Sequence, residues 1–275
     1  MVADMLPRVV PPEARRNPWR RDLPPWIVFH WMRLGLNDLR TQPLASLAYG
    51  VAIFIPSILL VLMLVERGYS HFLFPSLSGF MVIAPVLAMG LYDKSRRIGR
   101  GEPVSVAAMV FVRPASGYQI IFTGLLLCLL MVTWIRAAVI IYALFFGLRP
   151  FPGFDQILTM LLSTPRGWGM LVVGTAVGGL FAAFSYAIGA LSLPILLDKK
   201  TDALTAMGMS MALVWHNFPV MLAWAALLML TFLICVITGL VAMIFLFPLI
   251  GHASWHCYVA LTSGRTEKAG GSIAA

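Results

Sequence analysis

Between Phe218 and Leu261 the chain carries no Asp, Glu, Lys or Arg. A helix crosses a bilayer core of ~30 Å with about 20 apolar residues. This stretch is roughly twice that length, too long for one crossing and suited to two, with Thr238-Gly239 as the turn between them. Inside hydrocarbon every backbone N–H and C=O must be bonded within the protein, which leaves helices or a closed barrel as spanning structures. Four further apolar runs, 44–65, 72–92, 118–147 and 168–197, precede it. The expectation is an all-α, polytopic helical membrane protein with about six transmembrane helices. Composition agrees, with 60% of residues in the hydrophobic set and 11% charged, against about 25% charged in a soluble domain. That excludes a disordered chain, a collagen and an ordinary soluble enzyme.

The third and fourth runs are about 30 residues, roughly 45 Å of helix, so they tilt or project beyond the bilayer. Between them, 148–167 holds an apolar stretch that suits a short helix on the outer surface.

The net charge of +9, from 20 basic and 11 acidic residues, would suit a nucleic-acid partner. Its distribution points instead to the bilayer, because loops on the cytoplasmic side of a membrane protein are enriched in Lys and Arg. Arg8, Arg15, Arg16, Arg20, Arg21, Arg33 and Arg40 precede the first span, Lys94, Arg96, Arg97, Arg100 and Arg113 follow the second, Lys199 and Lys200 follow the fourth, and Arg265 and Lys268 follow the sixth. Only Arg67, Arg149 and Arg166 fall on the other side, with Arg136 inside a span. Both termini are therefore expected in the cytoplasm, and the protein in a bacterial inner membrane. The domain expectation is a disordered basic tail (1–30), a six-helix membrane domain (31–262) and a flexible tail (263–275). Cys128, Cys235 and Cys257 lie inside apolar runs without a Cys-x-x-Cys spacing, which implies neither a disulfide framework nor a zinc ribbon.

A threefold pattern runs through the chain. Short amphipathic segments at 31–43, 105–114 and 207–219 each precede an apolar helix, and the second helix of each pair holds a proline: Pro85, Pro194 and Pro248. This reads as three helical hairpins, each introduced by a helix along the cytoplasmic face. Pro56 interrupts the first span as well. A proline inside a helix removes one backbone bond and kinks it, and kinks at corresponding repeat positions also occur at transport sites.

Four sets of residues could carry chemistry. His252 and His256 are four apart, on one face of the sixth helix, a spacing at which two imidazoles can share a metal. His216 would supply a third ring from the cytoplasmic side. The alternative is a pair of interior histidines bonded to neighbouring groups. His30 and His71 read as interfacial. Arg136 lies within the third span, where a charge costs about 2.5–3.5 kcal/mol on insertion scales. It suits an ion pair with Glu66 at the outer end of the first span, snorkelling, or a cavity that binds an anion or lipid headgroup. Gly174-x-x-x-Gly178 permits close helix packing. Asp93, Asp198 and Asp202 read as helix-end caps or local pairs. No phosphate-binding glycine loop, nucleophile elbow or pair of intramembrane carboxylates occurs in the sequence.

The stretches LNDLRTQPLASLAYG (36–50), APVLAMGLYDKSRRIGRGEP (84–103), WIRAAVIIYALFFG (134–147), SLPILLDKKTDALTAM (192–207) and PLIGHASWHCYVAL (248–261) resemble a bacterial integral-membrane family known as domain of unknown function 2189. Some members carry the label of a cytochrome c oxidase subunit. The catalytic subunit of haem–copper oxidases uses more histidines and more helices than this chain, with its five histidines, offers. What the label implies here is an accessory or assembly role beside respiratory-complex subunits or a metal-handling complex. A small-solute or anion transporter and a haem- or metal-binding redox protein are the other classes.

Overall fold

The structure, a computed structural model, describes residues 17–69, 72–147 and 154–263. Every regular element among them is an α-helix: α1 (Ile27–Arg40), α2 (Pro43–Glu66), α3 (Leu73–Leu87), α4 (Met89–Gly99), α5 (Val106–Val110), α6 (Gln119–Phe146), α7 (Phe154–Ser163), α8 (Pro165–Gly189), α9 (Ser192–Asp198), α10 (Ala203–His216), α11 (Phe218–Ile237) and α12 (Met243–Thr262). Six segments are long and apolar enough to cross a membrane: α2, α3 with α4, α6, α8 with α9, α11 and α12. These are spans 1 to 6, and the fold is an all-α polytopic membrane bundle.

Turn chemistry sets the ends of several spans. At the end of α11, Gly239 takes φ +61°, its N–H bonds Val236 O, and Leu240 N–H reaches back to Cys235 O at 2.7 Å. The same pair of bonds closes α2, where Gly68 has φ +75° and Tyr69 N–H bonds Leu64 O. Glycine adopts this left-handed conformation without steric penalty, and the two bonds satisfy carbonyls that a helix end leaves free. The 238–242 connection therefore falls where the expected Thr238-Gly239 turn lies.

The prolines act unequally. Pro56, Pro85 and Pro248 sit inside continuous helices. Span 4 breaks between α8 and α9 at 190–191, one turn before Pro194, whose missing N–H cannot bond Ala190 O. Span 2 breaks at Ala88, three residues after Pro85. It then continues as α4 through the charged residues 93–97, which the sequence places in a loop.

The three short helices α1, α5 and α10 precede spans 1, 3 and 5, as the threefold pattern implies. The hairpins themselves do not follow. Spans 3 and 4 pack as a neighbouring pair, but spans 1 and 2, and spans 5 and 6, touch little. Span 6 instead lies against α1 and span 1, and span 2 lies against span 3. Glycines explain this. A Cβ on Gly35 would stand 2.7 Å from Ala253 N, and one on Gly50 would stand 2.1 Å from Ile244 O. α1 and α2 thus approach the α12 backbone more closely than any larger residue would allow. Short helix α7 packs on α8.

One end of the bundle gathers the N-terminal ends of spans 1, 3 and 5 and the C-terminal ends of spans 2, 4 and 6. We call it the basic end. Residues 17–26, part of the expected tail, are held there: Arg21 N–H donates to Asn217 Oδ1 at 2.6 Å and Asn217 Nδ2 donates to Trp19 O at 2.8 Å. Residues 1–16 and 264–275 of the two expected tails lie outside the described residues, as do His71 and Arg149.

Candidate functional site

The basic end contains a buried polar cluster built around α4. Asp93 is fully buried, and its carboxylate accepts from Arg96 one turn on and from Arg97 Nε at 2.7 Å. Residues three and four apart on a helix face one another, which is why this run folds as helix. Arg96 also donates to Leu197 O at 2.6 Å and to Arg113 O at 3.2 Å, tying the end of span 4 and the lead-in to span 3 onto α4. Burying such charges is costly unless they are paired and hydrogen-bonded; here both arginines pair with Asp93, and only the Arg96 Nε of this group is left without a hydrogen bond among the described residues.

A second strand of the cluster joins spans 1, 2 and 6. The Lys94 ammonium, 0% exposed, donates to Ser46 Oγ at 2.7 Å and to Gln42 O at 3.2 Å. Ser46 Oγ lies 2.9 Å from His252 Nε2, and His252 Nδ1 lies 2.8 Å from Ser95 Oγ. An ammonium only donates, so the Ser46 hydrogen is free to bond Nε2. The two serine hydroxyls can serve either tautomer of a neutral His252, one donating to the bare ring nitrogen and the other accepting from the ring N–H. His256 Nε2 meets Asp38 Oδ2 of α1 at 2.8 Å. Asp198 accepts from Arg100 at 2.8 Å and from the Tyr258 hydroxyl at 2.7 Å, joining spans 2, 4 and 6. Asp202 caps α10 by accepting from Thr205 N at 2.9 Å. The Thr205 hydroxyl, and after it this bond from the Thr205 N–H, holds the Asp202 carboxyl below the usual range.

Directly beside this cluster lies a cavity of about 280 Å³ between spans 2, 4, 5 and 6. Its walls are mostly apolar, with Val82, Pro85, Leu228, Phe232, Leu246 and Phe247 among them. The hydroxyls of Ser78, Ser185, Thr231 and Ser254 donate to carbonyls one turn back on their own helices. Two tyrosines line the basic end of the cavity: Tyr92, and Tyr186, whose hydroxyl reaches across helices to donate to Met221 O at 2.8 Å.

The histidines named from the sequence have separate partners. The i, i+4 spacing leaves His252 and His256 about 40° apart around α12 and about 6 Å apart along it. That offset aims His252 at α2 and α4 and His256 at α1. His216 bonds Ala212 O on its own helix. Both ring nitrogens of His252 are taken by serines. Among the described residues no group of three or more His, Cys, Asp and Glu could hold a metal ion, and the three histidines do not converge on one point.

Arg136 and Glu66 are both exposed, and no ion pair joins them among the described residues. Their helices explain it: α6 packs chiefly on α3 and α8, whereas α2 packs chiefly on α12. Of the two glycines, Gly178 meets the Trp134 ring of α6, and Gly174 faces open space. The sequence reading missed Asp38, Ser46, Lys94 and Ser95 as a group. The available signal was the Asp93–Arg96–Arg97 spacing, which marks a charged segment that stays helical.

No curated protein and no solved structure matches the chain. The motifs at 84–103 and 134–147, and the start of that at 192–207, fall within a matched stretch running from span 2 to the end of span 4. Residues 73–198 match the family model described as a predicted integral membrane protein, DUF2189.

Proposed function

We propose that this chain is a non-enzymatic component of a bacterial inner membrane, with both termini cytoplasmic, serving as an accessory or assembly subunit of a larger membrane complex. A respiratory or metal-handling complex is the class of partner, as the family label implies. The observation that supports it is the state of the polar cluster. Its carboxylates, its lysine and both nitrogens of His252 are bound to other groups of the same chain. A catalytic site holds a nucleophile or base ready for a substrate, and this cluster holds helices together. The cytoplasmic orientation is supported by the concentration of Arg20, Arg21, Arg33, Arg40, Lys94, Arg96, Arg97, Arg100 and Arg113 at one end.

Affinity purification of the tagged full chain from native membranes in mild detergent tests this reading. Stoichiometric recovery of subunits of one respiratory or metal-handling complex is expected. Recovery of the chain alone, with the complex assembling normally in a deletion strain, would overturn it.

A further inference from the structure

The cavity between spans 2, 4, 5 and 6 belongs to neither the polar cluster nor the accessory reading. α8 and α11 both line it but scarcely touch each other. Two lining residues at that gap, Ala182 and Met229, are exposed, Met229 to 55%. The mouth therefore opens sideways between two spans, toward the bilayer. From Ser78 to Tyr92 along span 2 the lining extends roughly 20 Å by helical rise. Small-molecule sites begin near ~300 Å³, so the volume suits one slender chain.

The lining contains no Asp, Glu, Lys, Arg or His, so a charged headgroup would be left unpaired in it. Its usable polarity lies at the basic end. Ser254 spends its hydrogen on Ile250 O, so it does not occupy the lone pairs of the Tyr92 hydroxyl in the same lining. Tyr186 spends its hydrogen on Met221 O and likewise keeps its lone pairs. Trp224, also in the lining, makes no hydrogen bond from its indole N–H among the described residues. A hydroxyl both donates to such oxygens and accepts from such an N–H.

The geometry points to an intramembrane site for one uncharged, long-chain lipid alcohol, entering between spans 4 and 5 with its hydroxyl toward Tyr92, Tyr186 and Trp224. The test is native mass spectrometry of the full chain in detergent, titrated with geranylgeraniol, with the matching hydrocarbon and with phosphatidylglycerol. One bound alcohol per chain is expected, retained at least tenfold better than the hydrocarbon and not displaced by equimolar phosphatidylglycerol. Tyr92→Phe should weaken alcohol binding roughly three- to tenfold, the worth of one hydrogen bond, while leaving hydrocarbon binding as it was. Ala182→Trp, at the mouth, should abolish both. Helical circular dichroism and elution volume confirm that each variant is folded, and if Ala182→Trp is not, Tyr92→Phe decides alone. Equal binding of alcohol and hydrocarbon, displacement by phosphatidylglycerol, or no saturable binding would each overturn the proposal.

Discussion

The two ends of this bundle solve the same packing problem by opposite means. At the basic end, α4, α9 and the last turns of α12 bury nearly every side chain, and charges are locked against one another and against carbonyls of neighbouring helices. Toward the other end, α2 exposes Leu59, Leu60, Leu62, Met63 and Val65, and a cavity between spans 2, 4, 5 and 6 runs from beside the cluster toward that end. Lipid tails are as apolar as leucine, so the hydrophobic effect gives apolar helices little reason to associate within the membrane. Polar side chains that can bond only to each other supply that reason at the basic end. Away from it, packing rests on apolar contacts and glycines, and α8 and α11 are left scarcely touching.

The sharpest way to break this contrast is to remove its anchor. Asp93→Ala leaves Arg96 buried without its carboxylate, and losing one partner of a buried pair costs about 3–5 kcal/mol. Thermal unfolding in detergent should show a large drop in stability or a loss of folded protein. A shift no larger than that of an exposed substitution would mean the pair is not structural. Next comes the close contact of span 1 with span 6. A Cβ from Gly50→Ala would strike the Ile244 carbonyl, and overpacking of this kind costs about 1–3 kcal/mol. Melting of the variant should show that loss, and an unchanged midpoint would mean the two helices are further apart than described here.

His252→Leu should cost about 1–3 kcal/mol, because Ser46 and Ser95 lose a buried partner. Retained stability would mean that the two serine–imidazole bonds do not hold the helices together. At the opposite extreme, Arg136→Ala should cost no stability, since the side chain is exposed and forms no ion pair among the described residues. A loss would restore a structural role to that arginine. The smallest loss belongs to Asp202. Its carboxyl is held below the usual range in the folded chain, so its contribution is present above the unfolded value and fades as pH falls through the lowered one. Asp202→Asn, which can still cap α10, should abolish that acid dependence in a pH series of melts.

The spans were legible because bilayer thickness dictates their length, so a charge-free stretch such as 218–261 has few other readings. The 238–242 turn was legible because glycine is suited to its backbone conformation. Partner choice among spans was not. Pairing of α12 with α1 and α2 depends on Gly35 and Gly50, single small residues with no repeat to mark them. The cluster was hidden for a related reason. Asp93, Lys94, Arg96 and Arg97 read as a solvated loop, because a run of charges after an apolar stretch normally is one. Here the i+3 and i+4 pairs and the carbonyls of Leu197, Arg113 and Gln42 satisfy them in place. His252 and His256 were correctly placed on one helix face. Which neighbour each ring meets depends on helices far away in sequence.

The most direct measurement is thiol accessibility at the end of span 2, in a background where Cys128, Cys235 and Cys257 are replaced. Single cysteines at Ser95, 2% exposed, and at Glu102, exposed, are compared for reaction with a polar maleimide in detergent. A packed polar core predicts rapid labelling of Glu102→Cys and protection of Ser95→Cys until the protein is unfolded. Equal, rapid labelling of both in the folded protein would show the charged segment to be a solvated loop.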